Sequence, residues 1–183
     1  MQIEMVYQDL SLCDTIDVAG NVFLGREPTR RLLGGPLLDK VRMYRDAKRM
    51  LDELDIHIPN MRALVGTLSG GQRQSIAIGR AASFEPKVLI MDEPTSALAV
   101  AEVEAVLGLI NRVKDRGVSV ILITHRLQDL FRVCDRIMVL YEGRKVAERR
   151  IEETNLEDLV HLIVGEKRAR FRAAADADQA DGR

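Results

Sequence analysis

Apolar positions change their rhythm along this chain. Ile3 to Tyr7 is a short, mostly apolar run stopping at Gln8-Asp9, which predicts a strand and its exit. Thr15 to Leu24 predicts a short helix ending at Gly25, and the Gly- and Arg-rich stretch from Gly25 to Gly35 predicts a loop. Pro36 suits the first turn of a helix, where its missing N–H costs nothing. From there Leu37, Leu38, Val41, Tyr44, Ala47, Met50, Leu51 and Leu54 recur at helical spacing, so an amphipathic helix is predicted from Leu37 to Leu54. Pro59 breaks the chain. Ser69 followed by Gln72 is a capping-box pattern, in which each side chain satisfies a backbone donor of the other, and it opens a helix running to about Phe84.

Strands then alternate with helices. Val88-Leu89-Ile90-Met91 is an uncharged run of the kind found in strands buried on both faces, and Val118 to Ile123 reads the same way. Between them Val103, Val106, Leu107, Ile110 and Val113 mark a helix that stops at Gly117. A helix from Leu127 to Val133 precedes Arg136–Tyr141 and Arg144–Glu148, which the Glu142-Gly143 turn joins as a C-terminal β-hairpin. Leu156 to Val164 predicts a last helix. Strand and helix alternation favours an α/β fold with a mostly parallel sheet flanked by helices. One domain is expected over residues 1–166, with a mostly helical subdomain inserted at about 12–84 and a disordered Ala-, Asp- and Arg-rich tail at 167–183.

Composition narrows the function. The 183 residues are 46% hydrophobic and 30% charged, enough for a real core. Lys+Arg 27 against Asp+Glu 28 gives no global pull toward nucleic acid or anionic lipid. Aromatics are 4% and Trp is absent, which argues against base-stacking platforms. No apolar run approaches the ~20 residues needed to span a bilayer, and the first residues lack the basic and apolar regions of a secretory signal. Cys13 and Cys134 make neither a disulfide framework nor a zinc set, and read as small buried residues. His57 and His161 lack ligand spacing, and the Arg-rich stretches Arg26–Arg31 and Lys167–Arg172 read as solvated surface.

Chemistry collects after the strands. The first exits at Gln8, the second at Asp92-Glu93, the third at Thr124-His125. If the strands are parallel neighbours, an amide, two carboxylates and an imidazole meet at one rim, a set that a reaction site needs and a buried sheet does not. Asp92 and Glu93 are consecutive and point differently. One can hold Mg2+, usually through water, and the other can face an attacking water as general base. Pro94 is expected to keep Glu93 extended. Leu68-Ser69-Gly70-Gly71-Gln72 opens a helix whose glycines, free N–H groups and Ser69 hydroxyl suit a phosphate.

These motifs carry a resemblance. Leu68 to Gln74 resembles the signature motif of ATP-binding-cassette (ABC) ATPases, and Val88 to Pro94 their Walker B motif. Gln8 matches the Q-loop glutamine, His125 the switch histidine, and Ser96-Ala97-Leu98-Ala99 stands at the D-loop position. The match follows the family's order to about Gly165. The wording of Val6–Leu12 and Phe23–Glu27 most resembles the monosaccharide-import branch, of ribose, xylose and fructose type. The resemblance implies a partial P-loop NTPase fold and ATP with Mg2+ as cofactors. Asp92 would help hold Mg2+, Glu93 would polarise the hydrolytic water, and His125 would contact the γ-phosphate. Gln8 would touch Mg2+ or the water and report to a membrane subunit. Ser69, Gly70, Gly71 and Gln72 would cap ATP bound on the opposite protomer.

Implied partners are a transmembrane permease, a second ATP-binding subunit in a homodimer or heterodimer, and indirectly a solute-binding protein, with no nucleic acid. The implied place is cytoplasmic, on the inner face of the membrane. The family's non-transport ATPases carry long coiled-coil or zinc insertions, and none is visible here.

The chain departs from the family in one large respect. No Gly-x-x-x-x-Gly-Lys-[Ser/Thr] occurs, so the Walker A phosphate cradle is missing. Two readings stand: a fragment of a complete ATPase, or a non-hydrolytic half-subunit that offers its signature motif to a complete partner. On either, weak ATP binding by the chain alone and poor solubility are expected. Ala99 stands where many relatives carry Asp, though sugar-import relatives often lack it.

Overall fold

The structure, a computed structural model, describes residues 2–32 and 34–165. It divides into two compact units, Met1–His125 and Arg126–Arg183. The expected tail at 167–183, with its basic stretch at 167–172, lies outside the described residues.

The first unit is built on a three-stranded parallel sheet. β1 (Ile3–Val6) pairs with β4 (Val88–Asp92), and β4 with β5 (Ser119–Ile123). Its register runs Val6–Met91–Leu122 and Met5–Ile90–Ile121. Val6, Leu89 and Met91 are buried on one face of the sheet. The opposite face is open: Ile121 is 50% exposed and Ile123 48%, so β5 is half-buried and not covered on both sides as its composition suggests. An unbroken apolar run marks residue type, whereas burial depends on what packs above each face.

Between β1 and β4 the chain holds three α-helices and a short two-stranded ribbon, with two departures from expectation. The first predicted helix shrinks to α1 (Val18–Val22), because Asp17 caps it by accepting from Gly20 N at 2.7 Å. Buried Asn21 accepts from Cys13 N at 2.8 Å and donates to Cys13 O at 2.9 Å, which keeps the preceding residues in a loop. The Gly- and Arg-rich stretch is a loop only as far as Pro28, and Pro36 does not open a helix. β2 (Thr29–Leu32) and β3 (Gly35–Leu38) form a two-stranded antiparallel ribbon with Pro36 opposite Arg31. Leu37 and Leu38 face solvent there; their helical spacing to Val41, itself exposed, is coincidental. α2 (Lys40–Asp52) starts at Asp39, whose carboxylate accepts from Arg42 N at 3.0 Å, and buries Met43, Ala47 and Leu51.

α3 (Gly70–Ala82) and α4 (Val100–Asp115) contribute Ile76, Ile78, Val106, Leu107 and Ile110 to this unit's core. Gly79 lets α3 approach α2 closely: a Cβ there would stand 2.6 Å from Leu51 Cδ2 and 2.8 Å from Ile56 Cδ1. Arg112 Nε, on α4, donates to Leu54 O at 2.8 Å just past the end of α2.

The second unit holds α5 (Leu127–Val133), the expected antiparallel hairpin of β6 (Arg136–Tyr141) and β7 (Arg144–Arg150), and a helix over 156–165. Glu142 and Gly143 both take positive φ, 44° and 74°, as a tight two-residue hairpin turn requires. Ile137, Val139, Ala147 and Leu159 are buried. Neither cysteine forms a disulfide among the described residues, and both are only half-buried, so neither is the fully buried small residue expected.

Candidate functional site

Three strand ends and one helix start carry the chemistry, all in the first unit. Since Val6, Met91 and Leu122 are register partners, the parallel strands end level, and Gln8, Asp92-Glu93 and Thr124-His125 follow at one rim. That rim is the carboxyl end of the sheet, where ligands of α/β folds bind.

Glu93 leaves β4 with φ 47°, not in the extended backbone expected before Pro94. The preference before proline is overridden because the chain turns at once. Glu93 N donates to Ile123 O at 2.9 Å, and Glu93 O accepts from Ser96 N at 3.1 Å and from Ser96 Oγ at 2.9 Å. A non-glycine residue at positive φ costs about 1–3 kcal/mol and persists only where its surroundings impose it. The turn carries the carboxylate to the end of β5. There Oε1 accepts from His125 N at 3.0 Å and stands 2.8 Å from His125 Nδ1, and Oε2 accepts from Thr124 Oγ1 at 3.3 Å.

The Glu93 side chain is 17% exposed, that of His125 76%. An ionised carboxylate only accepts, so Nδ1 carries the hydrogen. Nε2 of a neutral ring is then an acceptor, and the ring addresses an anion through Nε2 only when protonated. A carboxylate has about four acceptor sites, which leaves Oε2 able to take a further donor such as water.

Asp92, the last residue of β4, is half-buried, and its carboxylate makes no protein hydrogen bond among the described residues. Mg2+ takes one or two carboxylates beside waters and phosphates, so an unspent Asp92 fits such an ion. No cluster of three or more His, Cys, Asp or Glu suited to a metal stands among the described residues. The residues present therefore fit the metal and catalytic end of a Mg–ATP site, while a phosphate cradle of the Gly-x-x-x-x-Gly-Lys type is not among them.

Gln8 is exposed at the same rim, with no hydrogen bond joining it to Asp92, Glu93 or His125 among the described residues. The segment behind it is held from α3. Leu10 and Ser11 take positive φ, 63° and 47°, and Arg80 donates to both their carbonyls, at 3.3 and 2.9 Å. Arg26 is likewise more than solvated surface: it bridges Glu4 at 2.6 Å and lies over the Phe84 ring at 4.4 Å.

Ser69 caps α3 as its spacing to Gln72 predicts. Its Oγ accepts from Gln72 N at 3.2 Å, and its own N donates to Gln72 Oε1 at 3.1 Å. One residue here escaped sequence reasoning. Glu102, in the first turn of α4, accepts from Ser69 Oγ and Gly71 N, each at 3.0 Å. The signal was present in Ala99 followed three residues on by Glu102, half a capping box whose Ala99 has no side-chain acceptor to return.

The family pattern described as ABC transporter matches residues 1–96. Over 161 residues the chain is 41% identical to the xylose/arabinose import ATP-binding protein XylG of Sulfolobus acidocaldarius, covering 88% of this chain and 62% of that one. Over 163 residues it is 40% identical to the galactose/methyl galactoside import ATP-binding protein MglA of Haemophilus influenzae, covering 89% of this chain and 31% of the relative. The chain thus spans less than two thirds of either relative's length. Among solved structures, the ATP-binding cassette MJ0796, dimeric in a post-hydrolysis state with ADP and Pi, superposes with a TM-score of 0.65 at 25% identity, covering 82% of this chain and 63% of that one. The family pattern spans more than half of the chain, and the chain belongs to the ABC transporter family.

Proposed function

We propose that this chain serves as an ATP-binding, energy-coupling part of a sugar importer, working at an interface with a second ATP-binding subunit. Its family binds ATP with Mg2+ generally, and the relatives named for xylose/arabinose and galactose/methyl galactoside import suggest the solute class. The observation that carries the reading is the Glu93–His125 pair at the rim that Gln8 and Asp92 share.

Bound Mg–ATP supplies the phosphoanhydride whose hydrolysis drives the cycle. In this reading Glu93 orients and deprotonates water through its remaining acceptor site, a contribution of about 10²–10⁴-fold. His125 fixes that carboxylate through Nδ1 and meets phosphate charge through a protonated Nε2. Asp92 holds Mg2+, and Gln8 senses it. Ser69, Gly70, Gly71 and Gln72 face a nucleotide held by the second subunit. No helix among the described residues is long and apolar enough to cross a membrane. In this reading a permease carries the solute.

Calorimetry and pull-down test this. The chain alone is expected to bind Mg–ATP more weakly than about 1 mM. With a complete ATP-binding subunit it is expected to pair in an ATP-dependent way that Ser69→Arg abolishes, and to co-purify with a permease. Recovery of ribosomes or nucleic acid in place of a permease overturns the proposal.

A further inference from the structure

The first turn of α3 holds an anion of the chain's own. Glu102 Oε1 takes the Ser69 hydroxyl and the Gly71 N–H at 3.0 Å each, while Oε2 takes Ala99 N–H at 3.2 Å. One carboxylate thereby spans the starts of two helices, α3 and α4, whose free N–H groups and positive ends both favour a negative charge. The fit is close. A Cβ on Gly71 would stand 2.7 Å from Glu102 Cγ and 2.8 Å from its Cδ and Oε1, so glycine alone leaves room for it. The N–H of Gly71, then those of Ala99 and the Ser69 hydroxyl, hold the Glu102 carboxyl below the usual carboxylate range.

We infer that Glu102 is a positioning residue of the signature turn. It fills the anion cup of this turn and must leave before a phosphate on a second subunit can take Ser69 and Gly71. The inference rests on the proposed reading that this turn receives a phosphate. It also links two elements. Release of Glu102 frees Ala99 N at the end of the 93–99 segment, which begins with Glu93. Arrival of phosphate at α3 is thus felt by the backbone that carries the general base. A cup open for one tenth of the time binds its anion about tenfold more weakly than one always open.

The test uses the full chain, labelled with nitrogen-15 and titrated with inorganic triphosphate, reading the amides of Gly70, Gly71 and Gln72. Glu102→Ala is expected to bind at least about tenfold more tightly than the unmodified chain. Glu102→Gln, which keeps the size of the side chain and loses its charge, is expected to fall between them. Equal affinity in all three, or no response of these amides in any, overturns the inference. ATP-dependent pairing with a complete ATP-binding subunit is measured alongside. Tighter triphosphate binding by Glu102→Ala without such pairing sinks the proposed function and leaves the role of Glu102 standing. Pairing with unchanged triphosphate affinity does the reverse.

Discussion

Glu93 Oε1 stands 2.8 Å from His125 Nδ1 and 3.0 Å from the same residue's backbone N, so one oxygen fixes both the ring and the chain that bears it. This joins the end of β4 to the end of β5 across 32 residues of sequence. It also sets the histidine tautomer, because the carboxylate supplies only acceptors.

That tautomer can be observed. In its neutral form the His125 ring is expected to carry its hydrogen on Nδ1, seen in two-bond proton–nitrogen correlations. Glu93→Ala should shift the ring to the Nε2–H form. An Nε2–H pattern in both chains would show that the contact does not persist in solution.

The Glu102 carboxyl gives a pH dependence of known sign. Its folded value lies below the ~4.3 of a free glutamate side chain, held down first by Gly71 N–H and then by Ala99 and Ser69. A depressed carboxylate contributes stability that is fully present above the unfolded value and is lost as pH falls through the folded one. Acid titration of the Gly71 amide shift should therefore show a midpoint below ~4.3. Glu102→Gln should remove that step; a midpoint at or above the free value contradicts the geometry.

Gly79→Ala tests the packing of α3 on α2. The added methyl would meet Leu51 Cδ2 at 2.6 Å and Ile56 Cδ1 at 2.8 Å, both buried. Overpacking of this kind costs about 1–3 kcal/mol, measurable by urea unfolding. Adding Leu51→Ala should give a total loss smaller than the sum of the two single losses.

The two faces of the sheet should respond oppositely. Leu89 is fully buried, and Leu89→Ala is expected to cost about 2–5 kcal/mol. Ile121 and Ile123 lie on the open face, and changing both to Thr should alter stability by no more than about 1 kcal/mol. It should also lower self-association in light scattering, since exposed apolar surface drives it.

Much of this was legible in the residues. Gln72 three places after Ser69 announced the start of α3, and Glu142-Gly143 announced the turn of the last hairpin, because caps and tight turns are settled by neighbours in sequence. Strand exits at Gln8, Asp92 and His125 were equally visible. Arg30 and Arg31 in β2 gave no strand signal, and Leu37 and Leu38 kept helical spacing by chance, so the β2–β3 ribbon was hidden.

Sequence by itself determined the family, the strand exits and the capped start of α3, since local hydrogen bonding and the order of residues need no partner from afar. Only tertiary structure decided the rest. It turned Glu93 into the left-handed region so that its carboxylate meets His125, left one face of the sheet open, and brought Glu102 from α4 into the mouth of α3. The physical reason is distance along the chain: Glu102 lies 31 residues beyond Gly71, and His125 32 beyond Glu93. Pairings over such separations follow from how strands and helices pack, which no local pattern records.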